Sequence, residues 1–219
     1  MIKSNVNLDF DREDRLGFKE VVFAERKSVE TLRYIINQYQ KKNSNVLLTH
    51  LQAEKYEAIK DDFSSFFYDE VSQVGIVGEG GPINEVPLVA ILSAGTSDES
   101  VVNETYYTLQ FMGVPCHRIQ DIGVAGLDRF TKQLDVIRQF KVVIVVAGFE
   151  GALASVAGGM LSQPVIAVPT SVGYGVAAGG MAALNAMLAS CANGITVVNI
   201  DNGYGAAMAA KRIIQTFEK

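Results

Sequence analysis

Cysteine is scarce in this 219-residue chain: only Cys116 and Cys191 occur, in different predicted elements and without metal-type spacing. Two isolated thiols argue against a disulfide framework and a zinc site, and both are expected to be free. Long hydrophobic runs are also missing. No window approaches the roughly 20 uninterrupted apolar residues of a membrane span, and Met1-Ile2-Lys3-Ser4-Asn5 lacks the apolar stretch of a secretory signal. A cytoplasmic protein without membrane partners is therefore expected. There is no basic excess: a net charge of −5 and a pI near 5.1 disfavour nucleic acid and anionic membranes as partners, although a local basic pocket for phosphate would survive that average. Tryptophan is absent and decides nothing. With 48% hydrophobic and 20% charged residues, the chain can bury a full core in one ordinary domain beside a smaller appendage.

Charge is unevenly spread. Met1 to Pro87 is dense in Lys, Arg, Asp and Glu, whereas Leu88 onward is sparse in charge and holds most of the glycines. A boundary near 77–82 fits this shift, giving a small α/β domain with its linker over 1–86 and a larger domain over 87–219. In the first, Ser28 is placed to cap a helix over 29–41 with Leu32, Ile35, Ile36 and Tyr39 on one face. A strand over 46–49 and a helix from Ala53 to about Phe63 follow, and 9–15 reads as a solvated charge run. In the second, apolar runs at 88–92, 116–119, 142–147, 165–168 and 195–200 read as strands separated by helices. Leu127, Phe130, Leu134 and Ile137 make one helical stripe, and 206–217 closes the chain as a helix. Strands that are apolar throughout, alternating with helices, predict a parallel sheet covered on both faces: a three-layer α/β/α domain.

From Val142 to Ala210 only two side chains are charged, Glu150 and Asp201, and one is a thiol, Cys191. A stretch so apolar is expected to be buried, and buried carboxylates are either hydrogen-bonded in place or chemically employed. Ligands of open parallel sheets bind beyond the carboxyl ends of the strands, which selects the loops 93–98, 121–123, 148–151, 169–175 and 199–203. Ser93-Ala94-Gly95-Thr96-Ser97-Asp98 is either an ordinary helix cap or a phosphate nest, and it matches neither the Walker pattern nor the dinucleotide fingerprint. Glu150, between a strand and a small-residue helix, is a general base or a plain helix-start carboxylate. Asp201, before Asn202-Gly203, is a turn former or a ligand to a metal or hydroxyl. Cys191 falls in helical register with Leu184, Met187 and Leu188, which reads as a packed core thiol at the end of its helix. Neither His50 nor His117 is near it in sequence, so a Cys-His dyad has no support.

Six segments in this order resemble the LarB family: 93–98; Asp121-Ile122-Gly123-Val124-Ala125-Gly126; Ala147-Gly148-Phe149-Glu150-Gly151-Ala152-Leu153; 164–175; Ser190-Cys191-Ala192; and Val198-Asn199-Ile200-Asp201-Asn202-Gly203. Leu8-Asp9, Arg12, Arg15 and Gly17 to Phe23 resemble the family's amino-terminal signature, with Lys19 where proline is usual and Ala24-Glu25-Arg26-Lys27 poorer in glycine. The second domain is also similar to PurE, the aminoimidazole ribonucleotide carboxylase. PurE's Ser-Ala-His segment is missing, and Asp121-Ile122-Gly123 occupies that region.

The resemblance implies a PurE-like, flavodoxin- or Rossmann-like sheet and an enzyme of nickel-pincer nucleotide biosynthesis. Such an enzyme carboxylates the pyridinium ring of nicotinic acid adenine dinucleotide with carbon dioxide and hydrolyses the phosphoanhydride to release AMP. It implies Cys191 as a transient nucleophile on the ring and Glu150 as the base. Ser93, Gly95, Thr96, Ser97, Asp98, Asp121, Gly148, Thr170, Ser171 and Gly173 would hold substrate and phosphate. A magnesium ion, with Asp98, Asp121 and Asp201 as contacts, or an Arg or Lys would neutralise the anhydride, and no organic cofactor is implied. PurE relatives are octamers, so a homo-oligomer is implied. The alternatives are a PurE-type carboxylase or mutase acting on an imidazole ribonucleotide, and a nucleotide-binding regulatory module without chemistry.

Overall fold

The computed structural model describes residues 6–78 and 86–217, and backbone contacts divide the chain into two units, Met1–Pro82 and Ile83–Lys219. The compositional boundary at 77–82 falls largely outside the described residues. In the first unit a short helix α1 (Arg12–Leu16) precedes strand β1 (Val21–Phe23), helix α2 (Val29–Lys41), strand β2 (Val46–Thr49), helix α3 (Ala53–Glu57) and the strands β3 (Phe66–Asp69) and β4 (Val74–Val77). The sheet order is β1-β2-β4-β3, with only the β1–β2 pair parallel. Ser28 caps α2 as expected: its hydroxyl accepts from the Thr31 amide at 3.2 Å, and Leu32, Ile35, Ile36 and Tyr39 are buried against the sheet.

The helix expected to reach Phe63 stops at Glu57. The Ile59 amide bonds back only three residues, to the Tyr56 carbonyl, and a single tight turn at Lys60–Asp62 replaces the remaining helix. The charge run at 9–15 is more than a solvated face. Asp9 accepts from both Arg12 and Arg15, its amide donates to Glu20, and the Tyr39 hydroxyl donates to the same Glu20 at 3.2 Å.

In the second unit the elements run β5 (Val89–Ser93), α4 (Glu99–Phe111), β6 (Cys116–Ile119), α5 (Leu127–Thr131), α6 (Leu134–Ile137), β7 (Val142–Ala147), α7 (Ala152–Met160), β8 (Val165–Pro169), α8 (Met181–Leu188), β9 (Ile195–Val197) and α9 (Gly203–Phe217). All five strands are parallel, in the order β6-β5-β7-β8-β9. β7 sits at the centre, and all six of its residues are buried. Its alternate residues Val143, Val145 and Ala147 join Phe130, Leu134, Ile137, Leu153 and Met187 in one core on the α5–α8 face, while α4 and α9 pack together over the other face. Each such Val, Leu, Ile or Phe contributes about 1.5–3 kcal/mol on burial, which is why a strand without polar relief settles in the middle of three layers.

Three boundaries differ from expectation by more than a residue, each for a local reason. The stripe from Leu127 to Ile137 is split into α5 and α6, because the Gln133 amide closes a three-residue turn on Phe130. Phe130, Leu134 and Ile137 stay buried while Leu127 is exposed. β9 ends at Val197 rather than Ile200, since the Asn199 side chain accepts from the Ile200 amide and turns the chain. α9 begins at Gly203, three residues early, because Glu104 of α4 accepts from the Tyr204 amide and Asn202 from the Gly205 amide. Among the described residues no helix is long and apolar enough to cross a membrane.

Candidate active site

The strand order places a topological switch between β5 and β7: the chain leaves β5 toward β6 on one side and returns to β7 on the other. Loops therefore part beyond the carboxyl ends of these two strands, and sheets of this order leave a ligand crevice there. A cavity of about 340 Å³ lies at that place. Gly95, Ser97 and Asp98 after β5, Gly123, Val124 and Arg129 after β6, Gly148, Phe149 and Glu150 after β7, and Val172 after β8 all contribute to its lining. Two glycines let the loops approach this closely. A Cβ on Gly123 would stand 2.5 Å from the Ala94 carbonyl oxygen, and one on Gly148 would stand 2.5 Å from that of Val172 and 2.6 Å from the Thr170 hydroxyl.

Asp98 is buried in the cavity floor. Its carboxylate accepts from the Thr170 hydroxyl at 2.8 Å and from the Gly95 amide at 3.0 Å. Burial raises its pKa from the ordinary aspartate value, while the Thr170 hydroxyl and the Gly95 and Gly148 amides pull it back. Glu150 differs: it is exposed, and among the described residues no partner holds its carboxylate. Phe149 before it is bent into the left-handed region at φ 52°, as are Asp121 at 57° and Asp201 at 55°, each just past a strand of the parallel sheet.

Of the residues singled out in the sequence, Gly95, Ser97, Asp98, Gly148 and Glu150 meet in the cavity, and the others do not line it. Ser93 is fully buried and its hydroxyl accepts from the Asp121 amide. Thr170 is spent on Asp98. Thr96 is exposed beside the cavity, Gly173 is occupied in the turn before Ala177, and the Ser171 amide donates to Asp201 at 2.8 Å. Asp121 accepts from the Arg129 guanidinium. The expectation that Glu150, Asp201 and Cys191 are buried is not met: Glu150 and Cys191 are exposed and Asp201 is half-buried. The stretch is apolar, but these three sit in loops or turns beyond its strands and helices. α8 ends at Leu188, so Cys191 follows the helix rather than packing within it. Its position is tied to α7: the Ser190 hydroxyl bonds that of Ser155 at 2.7 Å and accepts from the Ala192 amide at 3.2 Å.

The chain matches the family description "LarB/PurE-like N-terminal domain" over residues 3–79 and "AIR carboxylase" over residues 88–219. An uncharacterized protein of Methanocaldococcus jannaschii, MJ0165, is 36% identical over 228 residues, an alignment spanning 100% of this chain and 87% of that one. The chain belongs to the LarB family. The second unit of this LarB-family chain has the PurE fold. The crystal structure of Treponema denticola PurE superposes with a TM-score of 0.52 at 22% identity, covering 60% of this chain and 82% of that one. A substituted form of PurE2 from the same organism gives 0.51 at 24% identity, covering 61% and 82%.

Asp98, Asp121 and Asp201 are engaged by Thr170, Arg129 and Ser171 respectively. Among the described residues no group of three or more His, Cys, Asp or Glu side chains is arranged to hold a metal ion. Among the described residues the cationic side chain that lines the cavity is Arg129, which the sequence alone did not mark. It stands eight residues beyond Asp121, in the first helix after β6, a position the switch-point rule would have flagged once strand order was known.

The two thiols of the LarB-family chain differ sharply. Cys116 is buried in β6, and desolvation pushes its thiol up to about 11 despite Gln110 and Arg118 nearby, whereas Cys191 is exposed. A chromogenic thiol reagent at mildly alkaline pH is expected to titrate Cys191 alone in the native protein and both thiols after denaturation. Two fast-reacting thiols in the native protein would show that β6 does not seal Cys116.

Proposed function

We propose that this LarB-family chain carboxylates the pyridinium ring of nicotinic acid adenine dinucleotide and cleaves its phosphoanhydride, giving the biscarboxylated pyridinium mononucleotide and AMP. The observation that carries the reading is Glu150: an unpaired carboxylate on a mostly apolar cavity at the switch point of a carboxylase-type unit, with no histidine in the described lining. A PurE-type reaction on an imidazole ribonucleotide would lack its imidazole proton carrier there, since His117 lies along β6 and stacks on Phe140.

The chemistry follows from polarity. A pyridinium ring is electron-poor, and its carbons do not attack carbon dioxide. Addition of the Cys191 thiolate to the carbon opposite nitrogen gives a neutral dihydropyridine. Its neighbouring unsubstituted carbon is an enamine nucleophile, which forms a bond to carbon dioxide and leaves a new carboxylate and an iminium. Glu150 takes the proton from that carbon, and departure of the thiolate restores the aromatic cation. Ala94, Val124, Ala125, Ala147, Phe149 and Leu153 suit both the uncharged gas and the neutral ring. The cavity's volume is at the low end of ligand pockets, about 300–1,000 Å³, so it houses one end of a dinucleotide. Asp98 is fixed to orient ligand hydroxyls or amides at the floor.

The active species is proposed to be a homo-oligomer in the cytoplasm. Tyr174, Val176, Met181 and Leu188 are 79%, 98%, 53% and 65% exposed, an apolar surface that precedes and borders the Cys191 turn and would be covered by another copy. Cys191 is not among the residues that line this cavity, so in this reading it must come within reach of the ring in the assembled site.

The deciding assay incubates the protein with nicotinic acid adenine dinucleotide and labelled bicarbonate, with aminoimidazole ribonucleotide in parallel. Label in a pyridinium mononucleotide together with AMP is expected. Label in the imidazole product alone would transfer the assignment to the PurE reaction, and binding without turnover of either would favour a regulatory module.

A further inference from the structure

Arg129 is the only cationic side chain in the described lining of a cavity that also holds two carboxylates, Asp98 and Glu150. A phosphate or carboxylate entering such a cavity meets repulsion from both and attraction from one guanidinium. In the structure that guanidinium is occupied: Arg129 Nη1 donates to Asp121 Oδ2, and no other partner of either side chain is found among the described residues. The pair is an exposed one, with the two side chains 46% and 52% exposed, and pairs of that kind are held weakly. Two local features place it. Asp121 is turned by a left-handed backbone, and Gly126 leaves the guanidinium room that a side chain would take, since a Cβ there would stand 2.9 Å from Nε. Asp121 itself stays out of the lining, so it presents the arginine without facing the ligand.

We propose that Arg129 is the oxyanion-reading residue of this site and that Asp121 is a placeholder, a carboxylate that holds the guanidinium until a ligand oxyanion takes it over. The fork of an arginine matches carboxylate and phosphate equally well, so the exchange swaps one planar charge-assisted pair for another and needs only a side-chain movement. The choice of probes rests on the pyridinium-nucleotide reading above, and the exchange itself does not depend on Cys191 or Glu150 chemistry.

The test is calorimetric titration of the Cys191→Ser protein, which keeps the cavity and blocks turnover, with nicotinic acid mononucleotide, nicotinamide mononucleotide and AMP. Arg129→Met is expected to weaken binding about tenfold or more, the scale of losing a charge-assisted pair. Asp121→Asn is expected to tighten it by up to about fivefold, the ceiling an exposed ion pair sets. The opposite signs are the signature, because a merely structural pair would loosen binding in both variants. Loss confined to nicotinic acid mononucleotide assigns the ring carboxylate as the oxyanion, and equal loss for all three assigns the phosphate. Unchanged affinity in Arg129→Met, or weakening in both variants at unaltered melting temperature, overturns the proposal while leaving the pyridinium reading standing. Failure of the unsubstituted site to bind any of the three overturns both.

Discussion

Replacing Cys191 by serine is expected to reduce carboxylation on the order of 10³-fold or more, as loss of a covalent nucleophile does, while the melting temperature stays within a degree or two of the parent. Both halves of that expectation rest on position. Cys191 is exposed, follows the last turn of α8 and contributes nothing to the buried core, so exchanging sulfur for oxygen removes no packing. The turn that carries it is fastened by its neighbour, through the Ser190–Ser155 bond and the Ala192 amide, and these contacts are untouched. The chemical difference is large. A hydroxyl is scarcely ionised near neutrality, adds poorly to an aromatic cation and leaves poorly from a dihydropyridine. Incorporation of labelled carbon dioxide into acid-stable product is the measurement, with a melting curve as the fold control. A serine variant that fixes carbon at an undiminished rate would eliminate the covalent route.

The second large effect belongs to Glu150. Exchange for glutamine keeps the size of the side chain and its place on the cavity but removes the base, and turnover is expected to fall about 10²- to 10⁴-fold. The useful observation is what accumulates. In the proposed route sulfur addition precedes the step that needs the carboxylate, so intact-protein mass spectrometry after mixing with dinucleotide and bicarbonate should reveal a covalent ring adduct on the protein. The unpaired state of this carboxylate makes the substitution clean, since no hydrogen bond to another described residue is broken by it. Slow turnover with only unmodified protein in the spectrum would mean that proton removal is not what Glu150 does.

Much of the parallel sheet was legible because it is written in runs: 142–147 has no polar residue, and such a run has few homes besides the centre of a covered sheet. Ser28 was legible because a cap is a local bond between near neighbours. Of the small sheet only β2 was legible. β1, β3 and β4 are three or four residues long, and what makes them strands is contact across the unit, including the stack of Tyr56 on Tyr68 and the seating of Gly75 under Leu51 and Phe66. Burial of the charge-poor stretch was misjudged for a related reason. Hydropathy counts Gly, Ala and Val as interior, yet 173–181 is largely exposed in the single chain, and an apolar surface of that kind is indistinguishable in sequence from a core. At the site, Glu150 and the 95–98 loop could be read from their places after strands. Arg129 could not, because its meaning depends on β5 lying between β6 and β7, an order that no stretch of residues states.

Asp121, Phe149 and Asp201 share a backbone handedness that a side chain resists by about 1–3 kcal/mol apiece, and each follows a strand of the parallel sheet. The folded chain carries that cost before any ligand arrives. Glycine at these corners would relieve that strain at the cost of a freer unfolded chain.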